Sequence, residues 1–408
     1  MASDLVFRPA KPSALATWCV QVGNGVDLAW RNRLRIERGD LERLRRLPAG
    51  VGLILVSNHA DETDVKVCLE LSRRVRRRFL FLMNREAFDE GWGVAGWWLQ
   101  RLGAFSVERG GRDETAKRYA IDAVKRARDI LVVFPEGEIF YLNDLVQPFK
   151  SGAVAIGLAA VEEQRQRRPD WTAYLLPMAI KYRYREPIRP ILERRIAWME
   201  QRLFKHSSRY AVQRKLALIM AELLHRQELA HQLPPTPHRL AALSERVREV
   251  RQAALSQLEA KYAAASVSPK AQMADRARRL SFYLRSQLSK GKLFSSETRA
   301  QFRSDLAELK RIAQMGGWQP HYVDLDPSQE RLAETVLKLE REVYRFRRPR
   351  QLANRDVFLR IGEPIELGQW MTAYQQDPQA ARGALAEQLR DTIQALINTI
   401  VAPPPAVL

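Results

Sequence analysis

Val51-Gly-Leu-Ile-Leu-Val-Ser-Asn-His-Ala-Asp-Glu-Thr-Asp64 decides the reading of this chain. An apolar run of strand length ends at Ser57, His59 follows at its carboxyl end, and Asp64 opens a helical pattern. In open α/β sheets, ligand-binding and catalytic groups gather at the carboxyl ends of strands. Histidine is the side chain that takes and returns a proton near neutral pH. A carboxylate on its second nitrogen fixes the tautomer and stabilises the imidazolium. Five residues turn an ideal helix by about 140° beyond a full turn, so the two groups cannot share one helix face. If they meet, His59 lies in the turn and Asp64 in the first helical turn. A polar turn in which Asp61 or Asp64 caps the next helix would explain the same residues without any chemistry.

Outward from this stretch, residues 50–184 alternate between short apolar runs and helical patterns. The runs are Val51–Val56, Phe79–Met83, Ala104–Val107, Ile130–Phe134 and Tyr174–Ile180. Glu114–Ala127 and Ser151–Gln164 read as helices between them. That alternation predicts an α/β fold with a largely parallel sheet flanked by helices. After Arg185-Glu-Pro-Ile-Arg-Pro190 the pattern changes to helices joined by breakers such as Leu233-Pro-Pro-Thr-Pro237 and Met315-Gly-Gly-Trp-Gln-Pro320. Leu240, Leu243, Val247, Val250 and Ala254 form one helical stripe, and Leu332, Val336, Leu339 and Val343 another. A strand resumes at Val357, and an amphipathic helix follows over 379–400. The predicted organisation is a first core part over 1–187, a basic all-helical insertion over 188–350, and a closing core strand and helix over 351–408.

Three further blocks accompany Asn58-His59 and Asp64. They are Gly103-Ala-Phe-Ser-Val-Glu-Arg109, Ile130-Leu-Val-Val-Phe-Pro-Glu-Gly137 and Leu175-Leu-Pro-Met-Ala-Ile180. In this order the four blocks resemble those of the glycerolipid acyltransferase (PlsC-like) family. Pro148-Phe-Lys-Ser-Gly-Ala153 and Val357-Phe-Leu-Arg-Ile-Gly-Glu-Pro-Ile365 add to the likeness. The resemblance implies the family's fold and transfer of an acyl group from a thioester to the hydroxyl of a lysophosphatidic-acid-like acceptor. It implies His59 as general base and Asp64 as its orienting partner. It implies Arg109 as a ligand of the acceptor phosphate, because a guanidinium forks onto anionic oxygens. Glu136 and Gly137 fall in the third block, where glycine allows close backbone approach. Arg85 falls where the family commonly has a lysine and is a candidate second phosphate ligand, or simply a solvated charge. The sequence also departs from the family. Glu108 stands in place of an aspartate, and Glu138-Ile-Phe140 replaces the Thr-Arg-Ser that usually follows Gly137. The missing arginine leaves another lysolipid or hydroxylated lipid open as acceptor, with Lys150 able to supply a charge.

Composition bounds the rest. With 46% hydrophobic and 28% charged residues, the 408-residue chain is globular, not disordered. Cys19 and Cys68 cannot make a disulfide framework and have no metal-ligand spacing. His206, His225, His231, His238 and His321 likewise suggest no metal site. We expect no metal and no resident cofactor, with acyl-CoA or acyl carrier protein as co-substrate. No run approaches 18 uncharged apolar residues, and no continuous apolar signal region opens the chain. A cytoplasmic, peripherally membrane-associated protein is therefore expected. The segment from Ser13 to Trp30 can lie in a membrane interface or pack on the core, and packing is the expected outcome. Trp92, Trp97 and Trp98 are expected to pack together, the alternatives being that they border an acyl channel or dip into lipid headgroups.

The net charge of +20 asks for an acidic partner. Between Arg189 and Arg350 stand 32 Lys/Arg against 17 Asp/Glu. Expected partners are the acyl thioester donor, a lysolipid acceptor, an anionic membrane surface and an acidic carrier protein. Nucleic acid is not expected, since no recognition motif accompanies the charge. A reading of another class makes the basic helical insertion a lipid- or protein-binding module.

Overall fold

The structure, a computed structural model, describes residues 7–400 except 90–92, 109, 111–112, 235, 237–239, 241, 263–270, 290–292, 325 and 346–349. Its first part runs α1 (Ala14–Trp30), β1 (Asn32–Ile36), α2 (Arg38–Arg45), β2 (Gly52–Ser57), α3 (Asp64–Val75), β3 (Phe79–Asn84), α4 (Val94–Arg101), β4 (Ala104–Val107), α5 (Glu114–Lys125), β5 (Ile130–Val133), α6 (Gly152–Arg165) and β6 (Ala173–Tyr184). Six helices follow: α7 (Arg189–Phe204), α8 (Val212–Ala230), α9 (Leu243–Lys261), α10 (Met273–Ser289), α11 (Ser296–Gln314) and α12 (Gln329–Tyr344). The chain then returns through β7 (Arg355–Ile361), β8 (Ile365–Glu366), α13 (Met371–Gln376) and α14 (Pro378–Thr399).

Among the described residues the strands form one sheet in the order β1-β7-β6-β2-β5-β3-β4, with β8 paired to β6. β6, β2, β5, β3 and β4 are mutually parallel, while β7 meets β6 antiparallel. The expected largely parallel α/β sheet is what the chain forms. β2 sits centrally, and all six of its residues are buried. Successive side chains of a strand point to opposite faces. Thus Leu53 and Leu55 join a core with α3, whereas Ile54 and Val56 join another with α5, α6 and α14. Helices on both faces explain why β2 reads as a continuous apolar run instead of an alternating one.

β6 outruns its neighbour. Its pairing with β2 ends at Ser57 opposite Met178. Beyond that point two buried asparagines replace the missing strand. Asn58 Nδ2 donates to Ile180 O (2.9 Å) and Asn58 Oδ1 accepts from Ile180 N (2.9 Å). Asn143 makes the same pair of bonds with Tyr182, at 2.9 and 2.7 Å. Buried backbone groups must find partners, and a side-chain amide offers the donor and acceptor of a peptide. The chain around His59 is thereby fastened to the sheet.

The helices between β6 and β7 build two cores of their own. α7, α8, α9 and α12 enclose one, and α9, α10 and α11 the other. The block leaves and re-enters the sheet at one place, since Tyr184 pairs with Arg355 and Arg185 N donates to Asn354 O (3.1 Å). It does not simply project. Glu330 of α12 accepts from Tyr184 N (2.9 Å), Glu334 accepts from Asn143 N, and Arg285 of α10 reaches Glu108 beyond β4 (2.5 Å).

The helix α1 departs from expectation. It buries Ala16 and Leu28 but exposes Leu15, Trp18, Val22, Val26 and Trp30. Its neighbour α4 exposes Val94, Trp97 and Trp98, with the two indoles edge to face at 5.1 Å. The strip by which α1 rests on the core is narrow, so most of its apolar residues face outward. Trp92 lies outside the described residues. No helix among the described residues is long and apolar enough to cross a membrane.

Candidate active site

The parallel strands send their carboxyl ends to one edge, as βα connections require. There a cleft of about 870 Å³ opens, lined by His59 after β2, Met83 and Asn84 of β3, Val107 of β4, Val133 of β5 and the Phe134 and Pro135 that follow it. Residues of α10 and α11 form its opposite wall. The helical block thus closes over the sheet edge.

His59 and Asp64 meet as the spacing demanded. Asp64 is the first residue of α3, and His59 lies in the turn before it. His59 Nδ1 donates to Asp64 Oδ2 across 2.8 Å. Asp64 is wholly buried and collects two further donors, the Asp61 N–H (3.0 Å) and the Tyr182 hydroxyl (2.5 Å). A buried carboxylate needs such donors, because an unpaired one costs several kcal/mol. His59 also stacks on Phe134, ring centres 4.2 Å apart. With Nδ1 held, Nε2 meets no protein group among the described residues and remains open to the cleft.

Glu136 braces this turn from beneath. Its Oε1 accepts from His59 N (2.9 Å). Burial pushes its carboxyl up to about 8, and nearby Asp64 adds to the rise. Near neutral pH Glu136 therefore holds a proton. Gly137 lines the cleft with φ +75°, a conformation that side-chain-bearing residues rarely adopt. A Cβ there would touch the stem of Lys150, whose ammonium meets Asp275 of α10 at 3.3 Å.

A second pair, buried Arg355 with half-buried Asp61, holds the same turn. Arg355 Nη1 meets Asp61 Oδ2 at 2.8 Å, and the guanidinium lies over the Tyr182 ring at 4.4 Å. Burial pushes Asp61 up, but the Arg355 charge outweighs it and brings Asp61 down to about 2.

Arg85 falls apart from this centre. Arg85 is buried with Nη1 on Asp89 (2.7 Å), and it is absent from the cleft lining. Arg109 lies outside the described residues. Beside it Glu108 is buried against Arg285 (2.5 Å) and lines the cleft. Among the described residues no cluster of His, Cys, Asp or Glu could hold a metal. Sequence reasoning missed Tyr182, Asn143 and Arg355. Each is brought to the site by β6, a loop or β7, so no local spacing marks it.

Fold and site define an α/β protein with a His–Asp pair at the carboxyl edge of its sheet, open to a cleft. Residues 38–181, which run from α2 into β6 and include the pair, match the Acyltransferase family. The chain is also similar to a 1-acyl-sn-glycerol-3-phosphate acyltransferase of Streptococcus pneumoniae (strain ATCC BAA-255 / R6), with 31% identity over 84 residues. That match covers 21% of this chain and 29% of that protein. Over 38–181 the chain is thus similar to acyltransferases, and the match spans 29% of the length of that relative.

Proposed function

We propose that the cleft transfers an acyl group from an acyl thioester, on CoA or acyl carrier protein, to a hydroxyl of a lysophosphatidic-acid-like lipid. The observation that carries the reading is His59, held through Nδ1 by buried Asp64 and open at Nε2. In the proposed step the acceptor oxygen attacks the thioester carbonyl while Nε2 takes the hydroxyl proton. The C–O bond forms, the C–S bond breaks, and the imidazolium returns the proton to the departing thiolate. Asp64 stabilises the imidazolium in between. A positioned base of this kind contributes two to four orders of magnitude in rate. The test is an assay of the purified chain with both thioester donors and a panel of lysolipids. Formation of the diacyl product supports the reading, and no product from any pair overturns it.

A phosphate-free lysolipid or other hydroxylated lipid is the second reading of the acceptor, favoured by Glu138-Ile-Phe140 after Gly137. Competition between phosphorylated and phosphate-free acceptors decides between them.

The same reading makes the protein a peripheral membrane enzyme. Trp18, Trp30, Trp97 and Trp98 stand on an exposed apolar face shared by α1 and α4. Indoles favour the headgroup level of a bilayer, and an apolar helix face can lie in the interface. The basic charge of 188–350 would add attraction to anionic lipid. Co-sedimentation with anionic and neutral vesicles tests this. Trp18→Ser with Val22→Ser should weaken binding to both, and unchanged binding would refute the α1 contact.

A further inference from the structure

Arg251 is the unusual cation of the cleft. It sits on α9, lines the cleft and is half-buried. The other basic residues that line the cleft are paired or wet. Lys150 and Arg278 meet Asp275 at 3.3 and 2.7 Å, Arg285 meets Glu108 and Glu86, and Lys117 meets Glu114 at 3.6 Å. Lys310 is exposed, so water can satisfy it. Arg251 has no acidic partner among the described residues and is only half open to water. Among the described residues it meets no carboxylate, and its one hydrogen bond runs from Nε to Ile312 O (2.8 Å). Burial pulls it below the usual guanidinium value with no acidic group to offset the effect. A partly desolvated charge without a counter-charge is costly, and a bound anion would remove that cost. With Nε occupied, Nη1 and Nη2 remain as the fork that matches two oxygens of a phosphoryl group.

Its position sharpens the point. A Cβ on Gly316 would stand 3.0 Å from Arg251 Nη2 and 3.3 Å from the Phe140 ring. The guanidinium therefore flanks the loop 137–140, which follows β5 and shares the cleft with His59. That loop carries Glu138, Ile139 and Phe140 and supplies no cation of its own. Gly316 and Gly317 permit the close approach, since a Cβ on Gly317 would collide with Phe140 O.

We propose that Arg251, supplied by the helical block, binds the phosphoryl group of the substrate in the cleft and selects for phosphorylated substrates. The identity of the ligand rests on the acyl-transfer reading. The phosphoryl group can belong to the acceptor or to the thioester donor, and both carry the same chemistry. Arg251 is a binding residue here, with no part in the proton transfer.

The test uses the full chain with Arg251→Gln, which keeps a donor for Ile312 O, and Arg251→Lys, which keeps the charge without the fork. Isothermal titration with lysophosphatidic acid and with monoacylglycerol reads binding without turnover, and wild type should prefer the phosphate. Arg251→Gln should weaken lysophosphatidic acid at least tenfold and monoacylglycerol little, with Arg251→Lys between. If the phosphate belongs to the donor, the loss appears instead with acyl-CoA and not with an acyl-pantetheine lacking phosphate. Equal binding of every ligand by wild type and Arg251→Gln overturns the proposal, as does an equal loss for phosphate-free ligands. Phosphate binding that depends on Arg251 in a protein with no transferase activity would keep this site and sink the acyl-transfer reading. Transferase activity indifferent to Arg251 would do the reverse.

Discussion

The two walls of the cleft are built by different rules. On the sheet side the groups that hold His59 in its turn are partnered. Asp64 takes three donors, Asn58 and Asn143 complete the β6 ladder, and Asp61 is neutralised by Arg355. On the helical side Arg251 is left without a counter-charge among the described residues. A satisfied network holds its members in one geometry, which is what proton transfer demands. An unsatisfied charge waits for a ligand. On the proposed reading, chemistry belongs to the sheet edge and recognition to the helical block, and variants should alter each without the other.

The largest expected effect lies in the satisfied wall. Asp64→Asn should lower turnover by about two to four orders of magnitude, because it leaves His59 without its orienting charge. Circular dichroism must show the variant folded, and near-normal turnover would break the comparison. Next comes Arg355→Met, which strands Asp61. Removing one partner of a buried pair costs about 3–5 kcal/mol at neutral pH, readable by urea denaturation. The sign follows from the depressed Asp61. Its stabilisation is present above about pH 4 and is lost as pH falls through about 2, so the wild-type advantage should shrink there. A constant gap down to pH 2 would exclude the ion pair as its source.

Glu136 behaves oppositely. Its carboxyl is raised to about 8, so the folded protein keeps a proton that the unfolded chain releases above about pH 4.5. The cost of ionising it in place grows across that window and is complete above about pH 8. Each pH unit is worth about 1.4 kcal/mol, so the whole amounts to a few kcal/mol. Glu136→Gln keeps an oxygen for His59 N and should flatten this alkaline loss. Parallel stability curves for both proteins would show that Glu136 is already ionised. The smallest effect belongs to Tyr182→Phe. It deletes one of three bonds to Asp64, worth about 1.5–3 kcal/mol for a charged acceptor, and should slow turnover roughly tenfold. A loss as large as that of Asp64→Asn would give Tyr182 a larger role than support.

The same division governs what the sequence disclosed. β2, β4 and α5 were legible because apolar runs and helical stripes are local patterns, and the expected limits differ by a residue or two. His59 and Asp64 were legible because a single turn joins them. Tyr182, Asn143 and Arg355 come from distant segments and bear no mark of their joint use. Arg251 was one basic residue among many until packing separated it from every carboxylate among the described residues. β1 escaped notice because Asn32-Arg-Leu-Arg-Ile36 alternates charge with apolar residues at the sheet edge, a pattern that also fits a loop. For α1 the apolar content of 13–30 was visible, but content alone cannot tell whether the residues face a core or the outside.

The central claim is direct transfer with His59 as base and no covalent acyl-enzyme. Pre-steady-state release of free thiol, followed in wild type and His59→Ala with and without the acceptor lipid, tests it most directly. The account predicts thiol release only when acceptor is present, no burst without it, and a loss of about two to four orders of magnitude in His59→Ala. A burst of one thiol per protein molecule in the absence of acceptor, or wild-type rates in folded His59→Ala, would contradict it.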